Sequence, residues 1–166
     1  MQAWTQFYAT VGTAAAALLG LLFVVVSTNV AVTIGPREPV SRRLTEQAFQ
    51  NYLAVMMVAF LALFPGITAT DFGMVTLFTT AIWSAWVFVR FWQTVALRLK
   101  QREDTYLRRH ITSLIGFGIL LVSAFRMALN LGNADDWFAA STLVLLFSAT
   151  AVSWELLRRI ADRTPK

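Results

Sequence analysis

Residues 4–34 read WTQFYATVGTAAAALLGLLFVVVSTNVAVTI, a stretch in which no side chain is charged. A helix needs about 20 apolar residues to cross the hydrocarbon core of a bilayer. This one has length to spare, which tilt or protrusion at either end absorbs. Gly35 and Pro36 close it, because proline cannot continue a helix.

Four more apolar runs follow. The second stops at Pro65 and Gly66, a strong turn pair. With polar links between them, the runs place spans at 7–34, 47–64, 72–97, 111–132 and 137–157. Composition agrees: 57% of the 166 residues are hydrophobic and 14% charged, against roughly 45–50% and about 25% in soluble domains. A soluble fold of this size has too much surface to hide that excess. The expectation is one domain, residues 1–166, an all-α polytopic integral membrane bundle of five transmembrane helices. A four-span variant needs one run to be re-entrant, with its backbone satisfied inside the protein.

Basic side chains set the orientation. Arg37, Arg42 and Arg43, then Arg98, Lys100, Arg102, Arg108 and Arg109, then Arg158, Arg159, Arg163 and Lys166 all fall in alternate connecting segments. The other links hold none, and Arg90 and Arg126 lie inside spans. Lysine and arginine stay cytoplasmic, so the N-terminus is outside and the C-terminus inside. Trp4 and Trp137 then fall at the outer interface and Trp154 at the inner one, where amphipathic rings sit. Trp83 and Trp86 lie nearer mid-membrane and call for packing.

The net charge of +5 is spread as short runs between apolar stretches, which suits an anionic inner leaflet rather than nucleic acid. Cysteine is absent, which excludes disulfides and thiolate metal sites. His110 stands alone, without the spacing of a metal site. No zinc-protease, nucleophile-elbow, phosphate-loop or dinucleotide motif is present. Every acid lies at a helix end or in a loop, so neither catalysis nor a cofactor is expected.

Two small-residue rows suggest close helix contacts. Gly12, Ala16 and Gly20 repeat every four residues in the first span, and Gly116, Leu120, Ala124, Ala128 and Gly132 do so in the fourth. Such faces let backbones approach within one chain or between subunits.

Arg126 is the polar residue that most needs an explanation, since a charge at mid-membrane costs roughly 2.5–3.5 kcal/mol on insertion scales. Ser123, Asn130 and Asn133 stand at −3, +4 and +7 from it, on one helical face. Asp71, Asp135 and Asp136 are the acids on that side and its candidate ion-pair partners. Paired, the arginine clamps an outer loop; solvated, it lines a vestibule that selects anions. Arg90, near the inner end of the third span, reaches the headgroups by snorkelling, with Trp86 one turn earlier able to face the cation.

The segment Gly20, Leu21, Leu22, Phe23, Val24, Val25, Val26, Ser27, after an alanine-rich run, resembles the opening of a group of small uncharacterised bacterial multi-pass membrane proteins. That resemblance implies a bacterial plasma membrane and carries over no functional residue. From the Arg126 face, the expected function is a homo-oligomeric channel or pathway for ions or small solutes. The alternative is a non-transporting scaffold or regulatory subunit that binds a membrane-protein partner through the Gly12 face. A periplasm-dependent reporter fused after Gln101 is expected to be silent and one fused after Gly132 active; the reverse pattern would put the basic segments outside.

Overall fold

In the computed structural model, residues 4–33, 39–98 and 104–162 are described. Gly35, Pro36, Arg37, Lys100, Arg102, Arg163 and Lys166 lie outside them, as do the side chains of Trp86, Arg90, Arg98, Arg108, Arg109 and His110. The described regular structure is helical: α1 (Thr5–Thr28), the single turn α2 (Val30–Thr33), α3 (Pro39–Ala62), α4 (Ala69–Arg98), α5 (Asp104–Ala128) and α6 (Ala134–Ala161). Three helical stretches, Thr5–Thr28, Ile111–Ala128 and Ala134–Ala161, are long and apolar enough to cross a membrane.

Hydroxyls inside these helices satisfy themselves locally. Thr10 and Thr13 donate to the carbonyls of Gln6 and Ala9, each at 2.8 Å. Such back-bonding removes the cost of an exposed hydroxyl among apolar surroundings. At the far end of α1 the same habit ends the helix. Ser27, Thr28 and Asn29 all bond back to Val24 or Val25, and Asn29 leaves helical geometry at φ −126°. The helix expected to run unbroken to residue 34 therefore stops at Thr28, and α2 adds one turn held by Thr33 Oγ1 donating to Asn29 O at 2.8 Å.

Two other helices start earlier than their apolar runs. α3 begins at Pro39, a residue suited to the first helical position, and its charged opening carries an Arg42–Glu46 pair at 3.0 Å. α5 begins at Asp104. Before α4, Thr68 caps: Asp71 N donates to its Oγ1 at 3.1 Å, and that hydroxyl donates to Asp71 Oδ2 at 2.6 Å. One backbone donor is capped by the Thr68 hydroxyl, and the carboxylate sits at the positive end of the helix.

In space the helices stand in the order α1, α3, α6, α5, α4, each packed along the next, with slighter contacts of α1 to α6 and α3 to α4. The last helix in the chain is thus the middle one. Its buried residues, among them Phe138, Leu145, Ala149, Val152 and Leu156, serve both neighbours. Phe138 meets Phe72 of α4 with ring centroids 4.9 Å apart.

Glycines mark the tightest crossings. A Cβ on Gly73 of α4 would stand 2.5 Å from Ala128 N and 2.8 Å from the Met127 carbonyl carbon. One on Gly116 would stand 2.7 Å from Leu145 Cδ2, and one on Gly12 2.9 Å from Ala59 Cβ. The small-residue row on α1 divides. Gly12 is buried with Tyr8, Val11, Ala15 and Leu22, whereas Ala16 and Gly20 face outward. The reason is helical geometry: a four-residue step turns about 40° round the axis, so Gly20 lies about 80° from Gly12. On α5, Leu120 and Ala124 are buried and Ala128 is half-buried, while Gly132 lies beyond the helix in the open.

Gly73→Ala is expected to lower stability by about 1–3 kcal/mol, since the new methyl meets backbone that cannot step aside. Gly20→Ala, with nothing within 4 Å, should leave thermal unfolding in detergent unchanged or slightly raised. Equal melting of the two variants would count against the α4–α5 contact.

Candidate functional site

Polar side chains gather at two places. The first is the turn joining α5 to α6. Asn130 N donates to Met127 O at 3.0 Å and Leu131 N to Arg126 O at 2.9 Å. This pair of bonds, with Asn130 left-handed at φ 55°, is a Schellman ending. Asn133 is also left-handed at φ 62° and precedes α6. Asparagine tolerates that conformation better than other residues with a Cβ.

Arg126 completes the turn. Its Nη2 donates to Gly132 O at 2.9 Å, so backbone and side chain of one residue hold both halves of the connection. Ser123, buried one turn earlier, donates to Ile119 O of its own helix at 2.7 Å. The four residues expected to share a helical face are therefore divided: Ser123 and Arg126 are on α5, and Asn130 and Asn133 lie past its end. Among the described residues no carboxylate stands within ion-pair distance of Arg126. Asp71 is held in the Thr68 cap and Asp136 is exposed. Asp135 is half-buried. Arg126 Nε, Asp135 Oδ1 and the Tyr8 hydroxyl are all shielded from solvent without a hydrogen-bond partner.

The second place is the interface of α3, α5 and α6. Asn51 Nδ2 donates to Ser113 Oγ at 2.8 Å and to Ser148 Oγ at 3.3 Å, and Gln47 Nε2 donates to Ser113 Oγ at 2.8 Å. The two serine hydroxyls are 3.0 Å apart, and Thr112 Oγ1 lies 3.2 Å from Ser148. With two amide donors on its oxygen, Ser113 spends its own proton on Ser148. Asn51 is fully buried and its Oδ1 has no partner. Every member is an amide or a hydroxyl, so the cluster contains no group that titrates near neutral pH. Its chemistry is to donate, to accept and to hold three helices in register.

Sequence reasoning passed over this cluster. The signal was the spacing of Gln47 and Asn51, four apart and so on one face, entering an apolar run. Their partners, Ser113 and Ser148, look unremarkable in the sequence, because a helical serine can bond back to its own carbonyls and need not reach across. Tyr52, beside Asn51, is also buried, its hydroxyl 3.4 Å from both Thr150 and Ser153 of α6.

Neither a protein-family model, nor a curated protein, nor a solved structure matches this chain.

Interhelical hydrogen bonds in bilayers contribute about 0.6 kcal/mol on average and up to about 1.7 kcal/mol. Asn51→Leu together with Ser113→Ala should destabilise less than the sum of the two single changes, because each leaves the other's partner unpaired. A double-mutant cycle in detergent with no coupling would dissolve the cluster.

Proposed function

We propose that the chain is a five-span protein of a bacterial plasma membrane, with its N-terminus outside, that serves as a non-transporting scaffold or regulatory subunit. What supports five spans is the company α3 and α4 keep. α3 lies between α1 and α6, both apolar enough to span, and Phe60 on it is 60% exposed. On α4, Phe78 and Ile82 are 69% and 72% exposed. Large apolar side chains so exposed on a helix packed along a spanning neighbour suit lipid, not water. The gathering of basic side chains in alternate connections supports the orientation.

The outward face of α1 carries the subunit reading. Opposite the row that packs on α3, Ala9, Thr13, Ala16, Ala17 and Gly20 are all exposed, and a Cβ on Gly20 would meet nothing within 4 Å. Three turns of small side chains on a peripheral helix offer a second transmembrane helix the same close approach that Gly12 gives Ala59. The partner this fits is a membrane helix with small residues of its own.

A pathway for ions or small solutes is the second reading, favoured by the partnerless Asn51 Oδ1 in the interior. The Arg126 vestibule supports it less, because that guanidinium is engaged by Gly132.

A photocrosslinker at Ala16 in native membranes is expected to trap a different membrane polypeptide, and Gly20→Leu to abolish the adduct without changing the melting temperature. Purified protein in planar bilayers should carry no current. Conductance sensitive to Asn51→Leu, or adducts with this chain alone, would overturn the subunit reading.

A further inference from the structure

A groove of about 180 Å³ runs between α1 and α6 with α3 at its floor. Leu18, Leu22 and Val25 form one wall, Thr150 and Trp154 the other, and Tyr52 the base. The walls are apolar for about 10 Å along the helix axes, by a rise of 1.5 Å per residue over seven residues. We propose that this groove binds an anionic glycerophospholipid, with an acyl chain along the leucines and the phosphate against Arg158.

Charge selects the occupant. Arg158 lies one turn beyond Trp154, on the same face of α6. Helical side chains lean toward the N-terminus of their helix, which carries the Arg158 stem back over the end of the groove. Its neighbour Arg159 is neutralised by Glu155 at 3.2 Å, whereas Arg158 is exposed and among the described residues has no ion-pair partner. An unpaired guanidinium at the rim of an apolar furrow suits a ligand with a phosphate at one end and a hydrocarbon chain at the other. Trp154, 69% exposed beside it, has the amphipathic ring that settles at headgroup level.

The base of the groove adds a polar foothold. Thr150 and Ser153 spend their protons on the carbonyls of Leu146 and Ala149, each at 2.9 Å. The Tyr52 hydroxyl reaches both only at 3.4 Å. Tyr52 donates to Thr150 Oγ1 over that long distance, and an ester carbonyl at the neck of a lipid is a better acceptor for the same proton. By helical rotation the groove occupies a different side of α1 from Ala16 and Gly20, so lipid and partner helix do not compete.

The test uses the whole chain, reconstituted in vesicles of equal phosphatidylglycerol and phosphatidylcholine, released into detergent and weighed by native mass spectrometry. The protein is expected to retain phosphatidylglycerol in preference. Arg158→Gln should lower the ratio of anionic to zwitterionic lipid about fivefold, equivalent to the ~1 kcal/mol that one arginine contributes at an anionic surface. Ser153→Leu fills the groove and should remove both lipids. Leu21→Trp, at the exposed rim and outside the core, does the same should Ser153→Leu misfold. Phe125→Leu, on α5, changes neither. Equal retention of the two lipids, an unchanged ratio in Arg158→Gln, or a second copy of the chain displaced by Leu21→Trp would each overturn the assignment.

Discussion

The position of α6 between α3 and α5 is the constraint on which the other helices depend. In lipid no hydrophobic drive pulls helices together, because the tails are as apolar as leucine. Close packing and hydrogen bonds must hold them. Gly116 lets Leu145 approach α5, and on the other side Asn51 reaches across to Ser148 and Ser113 at once. Shift α6 by one turn, about 5.4 Å, and Ser148 leaves the amide while Leu145 loses the space that glycine makes. The register of three helices is therefore fixed by a polar clasp and one missing side chain. α1 and α4 then attach to the outside of this triplet, through Gly12 and Gly73.

The one charged residue of α5 described at side-chain level within an apolar stretch is explained by a turn. An arginine two turns from the end of a span suggests a pathway, because such a charge is costly unless it does something. Here the helix ends sooner than the apolar run does. The left-handed Asn130 diverts the chain, and the guanidinium folds onto the carbonyl of Gly132. Arg126 therefore sits in the last helical turn, where a cation also complements the negative end of the helix.

Much of the helical architecture was legible in the sequence, because uncharged runs longer than 20 residues have few alternatives to helix. Turn pairs such as Pro65 and Gly66 also fix where the chain reverses, with Gly66 left-handed at φ 78°. The ends were less legible. Polar side chains can extend a helix past its apolar run, as from Pro39 to Gln47, or stop it early, as Asn29 does. Which small residue faced inward was harder still: Gly12 and Gly20 are alike in sequence, and only the axial rotation between them separates core from surface. Gly73 gave no warning, because its partner is a piece of α5 backbone with no sequence signature.

Polarity in this bundle is sorted by kind. The amide nitrogens of Gln47 and Asn51 and the hydroxyls of Ser113 and Ser148 pair with one another inside; the described ion pairs lie in the opening of α3 and the last turns of α6. Several small residues lie where helices touch, while Gly20 on α1 and Gly118 on α5 face outward. Glycine weakens a helix interior by about 0.5–1 kcal/mol relative to alanine, and at Gly12, Gly73 and Gly116 close packing offsets that loss. At Gly20 and Gly118 nothing within the chain does. Lipid tails conform to any surface and gain nothing from a missing methyl, whereas a second helix packs more closely against one. What distinguishes α1 is that Ala9, Thr13, Ala16 and Ala17 are exposed on the side of Gly20, whereas Gly118 is flanked by Leu114, Ile115, Leu121 and Val122.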